Sequence, residues 1–418
     1  MEDNLMADER TFVIIGASLA GAKAAETLRA EGFTGRVVLI GEETERPYER
    51  PPLSKGYLLG SDERDQAFVH DASWYSENNV ELVLGVRATE LRPDRHTVTL
   101  DGVEPLAYDK LLLATGSRVR TLDLPGVELP AVRYLRTITE SDALLDHMRR
   151  SRQVVVVGAG WIGLETAAAA RTYGAEVTVV EIDSLPLLRV LGPETAQVFA
   201  DLHLAHGVDF RFGAQVAGFV DTGGLLTAVR LADGTELPAD LAVVAVGIRP
   251  NTELAETAGL AVADGITVDA RLRTSDPDIY ACGDVAYMQN PLLGRSIRVE
   301  HWANALDGGP AAAKAMLGQD VVYDKVPYFY TDQYDLGMEY AGFVEPGGYD
   351  LVVFRGDVPG REFIAFWIKD GRVLAGMNVN VWDVQDDIQA LVRAGYAGKA
   401  VDLARLADPE VPLGELVS

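Results

Sequence analysis

Two glycine-rich turns constrain this chain more than any other feature. Gly16-Ala-Ser18-Leu19-Ala20-Gly21 follows the apolar run Thr11–Gly16, precedes an Ala-rich stretch from Ala20 to Glu31, and is followed by a second apolar run, Arg36–Gly41. Gly158-Ala-Gly160-Trp-Ile162-Gly163 repeats the arrangement, after Gln153–Gly158, before a stretch from Gly163 to Tyr173 and the run Glu176–Glu181. A buried strand, a tight glycine turn, a helix and a parallel strand form a βαβ unit that cradles a pyrophosphate on the helix N-terminus. Such a match is weak alone; its flanking elements and an acid ending the following strand make it specific. Both copies have that acid, Glu42 and Glu181. The duplication is of an architecture about 140 residues apart, not of a short solenoid repeat.

The first copy departs from the pattern at Ser18, which stands where the middle glycine lets the backbone approach a pyrophosphate. A serine there leaves the site usable. The second copy is intact. A carboxylate at Glu181 suits ribose hydroxyls and repels a 2′-phosphate, so NADH is expected rather than NADPH. Arg189, a little further on, is in reach of a pyrophosphate or adenine. Two such units imply two dinucleotides, one a held flavin and the other a nicotinamide that exchanges. A flavin joins a two-electron hydride donor to one-electron acceptors.

Each βαβ unit leads to a similar apolar strand and turn, Lys110–Gly116 and Leu241–Gly247. Further on come Gly265–Asp269 and Ile279–Ala286. From about Val326 aromatics rise and strand-like alternation appears at Tyr349–Arg355 and Glu362–Lys369. Alternating strands and helices predict an α/β architecture with parallel sheets.

Composition excludes several functions. The chain has 418 residues with 63 acidic and 37 basic side chains, a net charge of −26, which argues against nucleic-acid binding. No run of about 18 apolar residues predicts a membrane span. The start, MEDNLMADER, reads as a loose polar tail without signal-peptide character. One cysteine, Cys282, rules out an intrachain disulfide, a two-thiol relay or a cysteine metal cage built from this chain alone. It reads as a small buried hydrophobe, and these features favour the cytoplasm. The six histidines show no metal-ligand spacing; His203 and His206 read as surface or interdomain residues. No metal is expected.

Further segments carry a resemblance: Arg46–Tyr57 (RPYERPPLSKGY), Ala114–Ser117 (ATGS), Thr274–Ala286 (TSDPDIYACGDVA) and Val326–Asp335 (VPYFYTDQYD). With GWIGLE, they resemble the FAD-dependent ferredoxin reductases of oxygenase systems, of the putidaredoxin-reductase and biphenyl-dioxygenase-reductase kind. Apoptosis-inducing factor is a more distant relative. The resemblance implies a glutathione-reductase-like flavoprotein with two dinucleotide-binding domains and a C-terminal α/β domain. FAD would lie in residues 1–115 and 246–325, NADH in 116–245, and the third domain would be 326–418. It places FAD at Gly16, Ser18, Leu19, Ala20, Gly21, Glu42, Arg50, Lys55, Ala88, Ala114, Thr115, Gly116, Arg136, Asp284 and Trp302. It places NADH at Gly158, Gly160, Ile162, Gly163, Glu165, Glu181, Arg189 and Gly247. Lys55 and Glu165 are implied beside the reactive edge of the flavin and are expected to pair, since a buried lysine stays charged only with a partner. They are the candidates for catalysis.

The activity implied is hydride transfer from NADH to FAD, then single electrons to a small iron–sulfur ferredoxin of the [2Fe–2S] type serving a monooxygenase or dioxygenase. A monomer or homodimer fits equally. An NADH oxidase, a redox sensor like apoptosis-inducing factor, or a reductase of rubredoxin or a [3Fe–4S] ferredoxin are the alternatives. Where many relatives carry tryptophans, Tyr328, Phe329 and Tyr330 stand. They suit a docking surface, a shield for the ring, or plain core packing.

Overall fold

A computed structural model describes residues 8–416, so most of the expected N-terminal tail lies outside the described residues. The chain forms two compact units, each made of separate segments. Of the described residues, one comprises 8–49, 65–118 and 249–327; the other comprises 50–64, 119–248 and 328–416.

The first unit is built on a five-stranded parallel sheet in the spatial order Ile279–Ala281, Lys110–Leu113, Thr11–Ile15, Arg36–Gly41 and Val80–Leu84. Its strands are continuous apolar runs because they are covered on both faces. Phe12, Val13, Ile14, Val37, Leu39, Leu111, Leu112 and Leu113 are all fully buried. The helix Leu19–Ala30 follows the central strand. The helix Trp302–Met316 crosses it closely: a Cβ at Gly309 would sit 2.2 Å from the Ala20 carbonyl oxygen, so only glycine allows the approach.

The second unit contains two five-stranded sheets. One is parallel, in the order Val208–Phe212, Glu176–Glu181, Gln153–Val157, Leu241–Val244 and Val132–Arg133. The other is antiparallel, in the order Tyr328–Gln333, Leu336–Gly342, Arg372–Val379, Glu362–Lys369 and Leu351–Asp357. The amphipathic helix Gln385–Tyr396 packs Ile388, Leu391 and Val392 against it.

One local reading differs from expectation. The helices after the glycine turns begin at Leu19 and Trp161, earlier than the apolar pattern suggested, because Ser18 and Gly160 are extended cap residues directly before them. The segment Ile279–Ala286 begins as the strand Ile279–Ala281. It breaks at Gly283, whose φ of +73° starts a single 3₁₀ turn holding Asp284, and a new strand runs from Ala286 to Asn290. His203, expected at the surface or between domains, is fully buried and bonds Gln333 of the C-terminal sheet at 2.8 Å, the second of those readings.

Candidate functional site

The two glycine turns share one geometry. Gly16 has φ +122° and a Cβ there would lie 2.0 Å from the Ala114 carbonyl oxygen; Gly158 has φ +99° and a Cβ would lie 2.4 Å from that of Ala245. Each first glycine is therefore obligatory on both conformational and steric grounds. Gly21 and Gly163 let the helix press onto the turn, since a Cβ at either would be 2.0 Å from the carbonyl oxygen of Gly16 or Gly158. The middle position is different. Gly160 has φ −78° and nothing within 4 Å of a built Cβ, while Ser18 has φ −120°. Both are ordinary extended backbone, so serine at the first turn brings no strain. Its hydroxyl donates to the Tyr48 carbonyl at 3.4 Å. In both turns the helix presents first-turn N–H groups that lack intrahelical acceptors, the donors a pyrophosphate uses. The turns thus fit two dinucleotides.

Around the first turn, Glu42 lies exposed one residue past the end of the strand Arg36–Gly41, with Arg87 3.7 Å away. The Ala114–Gly116 segment is fixed by Asn251: Thr115 donates its hydroxyl to the Asn251 carbonyl at 2.9 Å, and the Asn251 amide donates to the Thr115 carbonyl at 2.8 Å. Trp302 starts its helix and donates its indole N–H to Glu49 at 2.8 Å. Ala88 begins the strand Ala88–Arg92. Loss of hydration pushes the neighbouring His301 down to about 4. Cys282 is fully buried, and burial pushes its thiol up to about 12, which leaves it unreactive.

In the second unit Glu181 accepts from the N–H of Ala159 at 2.6 Å and from that of Asp183 at 3.0 Å. The carboxylate is thereby held at the mouth of the glycine turn. Arg189 is exposed and pairs with Asp183 at 2.7 Å. Ile162 is exposed on the first turn of its helix, and Gly247 lies beside Arg120 with φ +99°.

The segment bearing Lys55 belongs to this unit as well. Pro51 and Pro52 pre-set the single 3₁₀ turn Pro51–Ser54. Ser141 donates to the Leu53 carbonyl and Tyr173 to that of Leu58, each at 2.9 Å, and Tyr57 bonds Asp142. Arg50 donates to the carbonyl of Arg136, just ahead of the helix Ile138–Met148, which Thr137 and Glu140 close with a capping box.

Lys55 and Glu165 do pair, with Lys55 Nζ 2.6 Å from Glu165 Oε1. Glu165 is buried and accepts from two further side chains, Ser54 at 2.5 Å through Oε2 and Thr331 at 2.6 Å through Oε1. Sequence reasoning did not single out Ser54 or Thr331. Ser54 adjoins Lys55, but Thr331 reaches Glu165 from a strand 166 residues away. The aromatic segment splits by strand alternation. Phe329 turns inward between Trp161 and Tyr340, each with its ring centroid 5.0 Å away. Tyr330 lies under the Lys55 ammonium at 5.3 Å, and Tyr328 donates to Glu339 at 2.7 Å. Asp332 is also near this cluster, and burial raises its pKa above the usual carboxylate range.

Among the described residues no cluster of metal-ligating side chains is present, and no helix is long and apolar enough to cross a membrane.

Residues 10–309 match the family described as pyridine nucleotide-disulphide oxidoreductase, and residues 328–417 match the reductase C-terminal domain. The chain is 41% identical to the ferredoxin–NAD(+) reductase component of the anthranilate 1,2-dioxygenase system of Burkholderia cepacia, over 96% of this chain and 98% of that one. It is 37% identical to putidaredoxin reductase of Pseudomonas putida, over 97% and 96%. Among solved structures it resembles the covalent putidaredoxin reductase–putidaredoxin complex, with a TM-score of 0.92, 35% identity and 97% of each chain covered.

Proposed function

The chain belongs to the pyridine nucleotide-disulphide oxidoreductases, and from that premise we propose that it is an FAD-dependent NADH:ferredoxin reductase serving an oxygenase. The observation that carries the reading is the buried Lys55–Glu165 pair in a chain whose one cysteine is inert. A reductase of this family that worked through a thiol would need a second, reactive cysteine, and none exists.

FAD supplies the junction between hydride transfer and one-electron transfer. The Gly16–Gly21 turn offers backbone N–H groups to its pyrophosphate, Glu42 accepts from its ribose, and Asp284 is assigned to its ribityl chain. Ala88, Ala114, Thr115, Gly116 and Trp302, with Arg50 and Arg136, complete the FAD residues. The Gly158–Gly163 turn receives NADH, with Glu181 on the ribose and Ile162, Arg189 and Gly247 around it. Lys55 presents a positive charge that favours the electron-rich reduced ring over the oxidised one. Glu165 keeps that ammonium oriented, and no side chain is required as a general acid, because positioning dominates hydride transfer.

By function the chain divides into an FAD part (1–115 and 246–325), an NADH part (116–245) and a C-terminal part (326–418). The partner is a [2Fe–2S] ferredoxin, and the protein works as a monomer or homodimer in the cytoplasm.

Anaerobic stopped-flow mixing tests this. NADH should bleach the bound flavin quickly and NADPH slowly, and the reduced protein should then pass electrons to a [2Fe–2S] ferredoxin faster than to oxygen. Slow delivery to every ferredoxin offered, with rapid consumption of oxygen, would instead make the protein an oxidase.

A further inference from the structure

Glu165 is the end of a chain of side chains whose other members, Thr331, Gln333, His203 and Tyr334, are not among the expected site residues. Thr331 Oγ1 lies 2.6 Å from Glu165 Oε1, Gln333 Nε2 lies 3.1 Å from Thr331 Oγ1, and His203 Nε2 lies 2.8 Å from Gln333 Oε1. Tyr334 OH lies 3.4 Å from His203 Nδ1, and its ring stacks on His206 with centroids 3.7 Å apart. Thr331, Gln333 and His203 are all buried.

The hydrogen-bond directions in this chain are determined. A carboxylate can only accept, so the Thr331 hydroxyl donates to Glu165. Its oxygen is then left to accept, which turns the Gln333 amide nitrogen toward it and the amide oxygen toward His203. His203 must therefore carry its proton on Nε2, and Nδ1 accepts from Tyr334. Every link donates toward Glu165. Aligned links polarise one another in a dry interior, so the last donor is held more firmly than an isolated threonine would be. Burial also depresses His203 to about 4, which keeps the ring neutral and the tautomer single.

We propose that Gln333 and His203 are positioning residues. Acting through Thr331, they fix the carboxylate of Glu165, and with it the ammonium of Lys55, in the orientation that reduction of the flavin uses. The chain is not a proton wire: it passes through a carboxamide, which does not readily exchange a proton from one end to the other. Its function is orientation. The inference rests on the reading of the protein as an FAD reductase.

Two readouts on the purified holoprotein test it: the midpoint potential of bound FAD, from anaerobic titration against a reference dye, and the rate of flavin bleaching by NADH. Thr331→Val and Gln333→Met should each make the potential more negative and slow bleaching about tenfold. Half-saturating NADH should change much less than the bleaching rate, because the Gly158–Gly163 turn and Glu181 are left as they are. Gln333 acts only through Thr331, so the double variant should match Thr331→Val rather than sum the two effects. Thr331→Ser, which keeps the hydroxyl, should return both readouts toward the parent. If Gln333→Met fails to fold, the far end decides: His203→Phe should behave like the chain-breaking variants and His203→Gln, which restores a donor, should recover. An unmoved potential in flavin-loaded Gln333→Met or His203→Phe, or additive effects in the double variant, overturns the inference alone. A parent protein that takes up no FAD overturns the functional reading, and this inference with it.

Discussion

Glu181 and Lys55 are two charged residues whose roles separate cleanly by experiment. The Glu181 carboxylate is held by two backbone N–H groups, and the nearby cation, Arg189, is engaged by Asp183. Nothing here is arranged to welcome a 2′-phosphate. Glu181→Arg should raise the ratio of kcat/KM for NADPH over NADH at least about tenfold. Adding Asp183→Asn, which releases Arg189, should raise it again; steady-state kinetics with both nucleotides would show this, and a ratio unchanged in both variants would refute the assignment. At Lys55 the effect should fall on chemistry rather than on nucleotide choice. Lys55→Met removes the charge assigned to the reduced ring, and flavin bleaching by NADH should slow about a hundredfold with the NADH:NADPH preference intact. A bleaching rate equal to the parent's would leave Lys55 as half of a structural ion pair. Serine 18 shows the opposite case, a departure from pattern without consequence: its position needs no positive φ, so the side chain is tolerated.

At the scale of elements, the glycine turns join strand to helix, and the third glycine of each bears the helix. Gly21→Ala and Gly163→Ala would each drive a methyl group to 2.0 Å from a carbonyl oxygen. Backbone cannot yield as a flexible side chain would, so each helix must shift away from its turn, at a cost of about 2–4 kcal/mol. The two should fail differently. Gly21→Ala should purify without flavin colour. Gly163→Ala should keep its flavin, accept electrons from dithionite, and respond poorly to NADH. Visible spectra of the two purified variants settle the matter, and loss of flavin from both would show that the turns do not serve separate nucleotides. These βαβ elements were legible because everything defining them is local: an unbroken apolar run, a glycine turn and an Ala-rich helix within about thirty residues. Their first helical residues were less legible, since Ser18 and Gly160 act as caps through backbone conformation and make no side-chain cap bond. The chain from Tyr334 to Glu165 could not be read at all. Thr331 and Gln333 share a strand face by simple alternation, but their partners are 166 and 130 residues away, and only tertiary folding joins them.

For the molecule as a whole, acid should reveal the buried histidines before it reaches the paired carboxylates. His203, in the second unit, has its pKa reduced from 6.5 to about 4 by burial, with His206 acting in the same direction and Gln333 against it. The unfolded chain takes up a proton below about 6.5, and the folded chain refuses it until about 4. Protons therefore favour the unfolded state across that interval. The stability His203 contributes is complete above pH 6.5 and is lost as the pH falls toward 4, by about 2 kcal/mol between pH 7 and pH 5. Asp332 opposes this, because burial raises its pKa and the folded state binds that proton more readily. His301, in the first unit, behaves as His203 does and supplies a background slope. His203→Gln keeps a donor for Gln333 and removes the titration. Urea unfolding of the second unit should then show a smaller drop in midpoint between pH 7 and pH 5 for this variant than for the parent, the two differing most at pH 5. Parallel pH profiles would mean that His203 is protonated in the folded protein, and Gln333 would then face a cation rather than the neutral ring inferred for it.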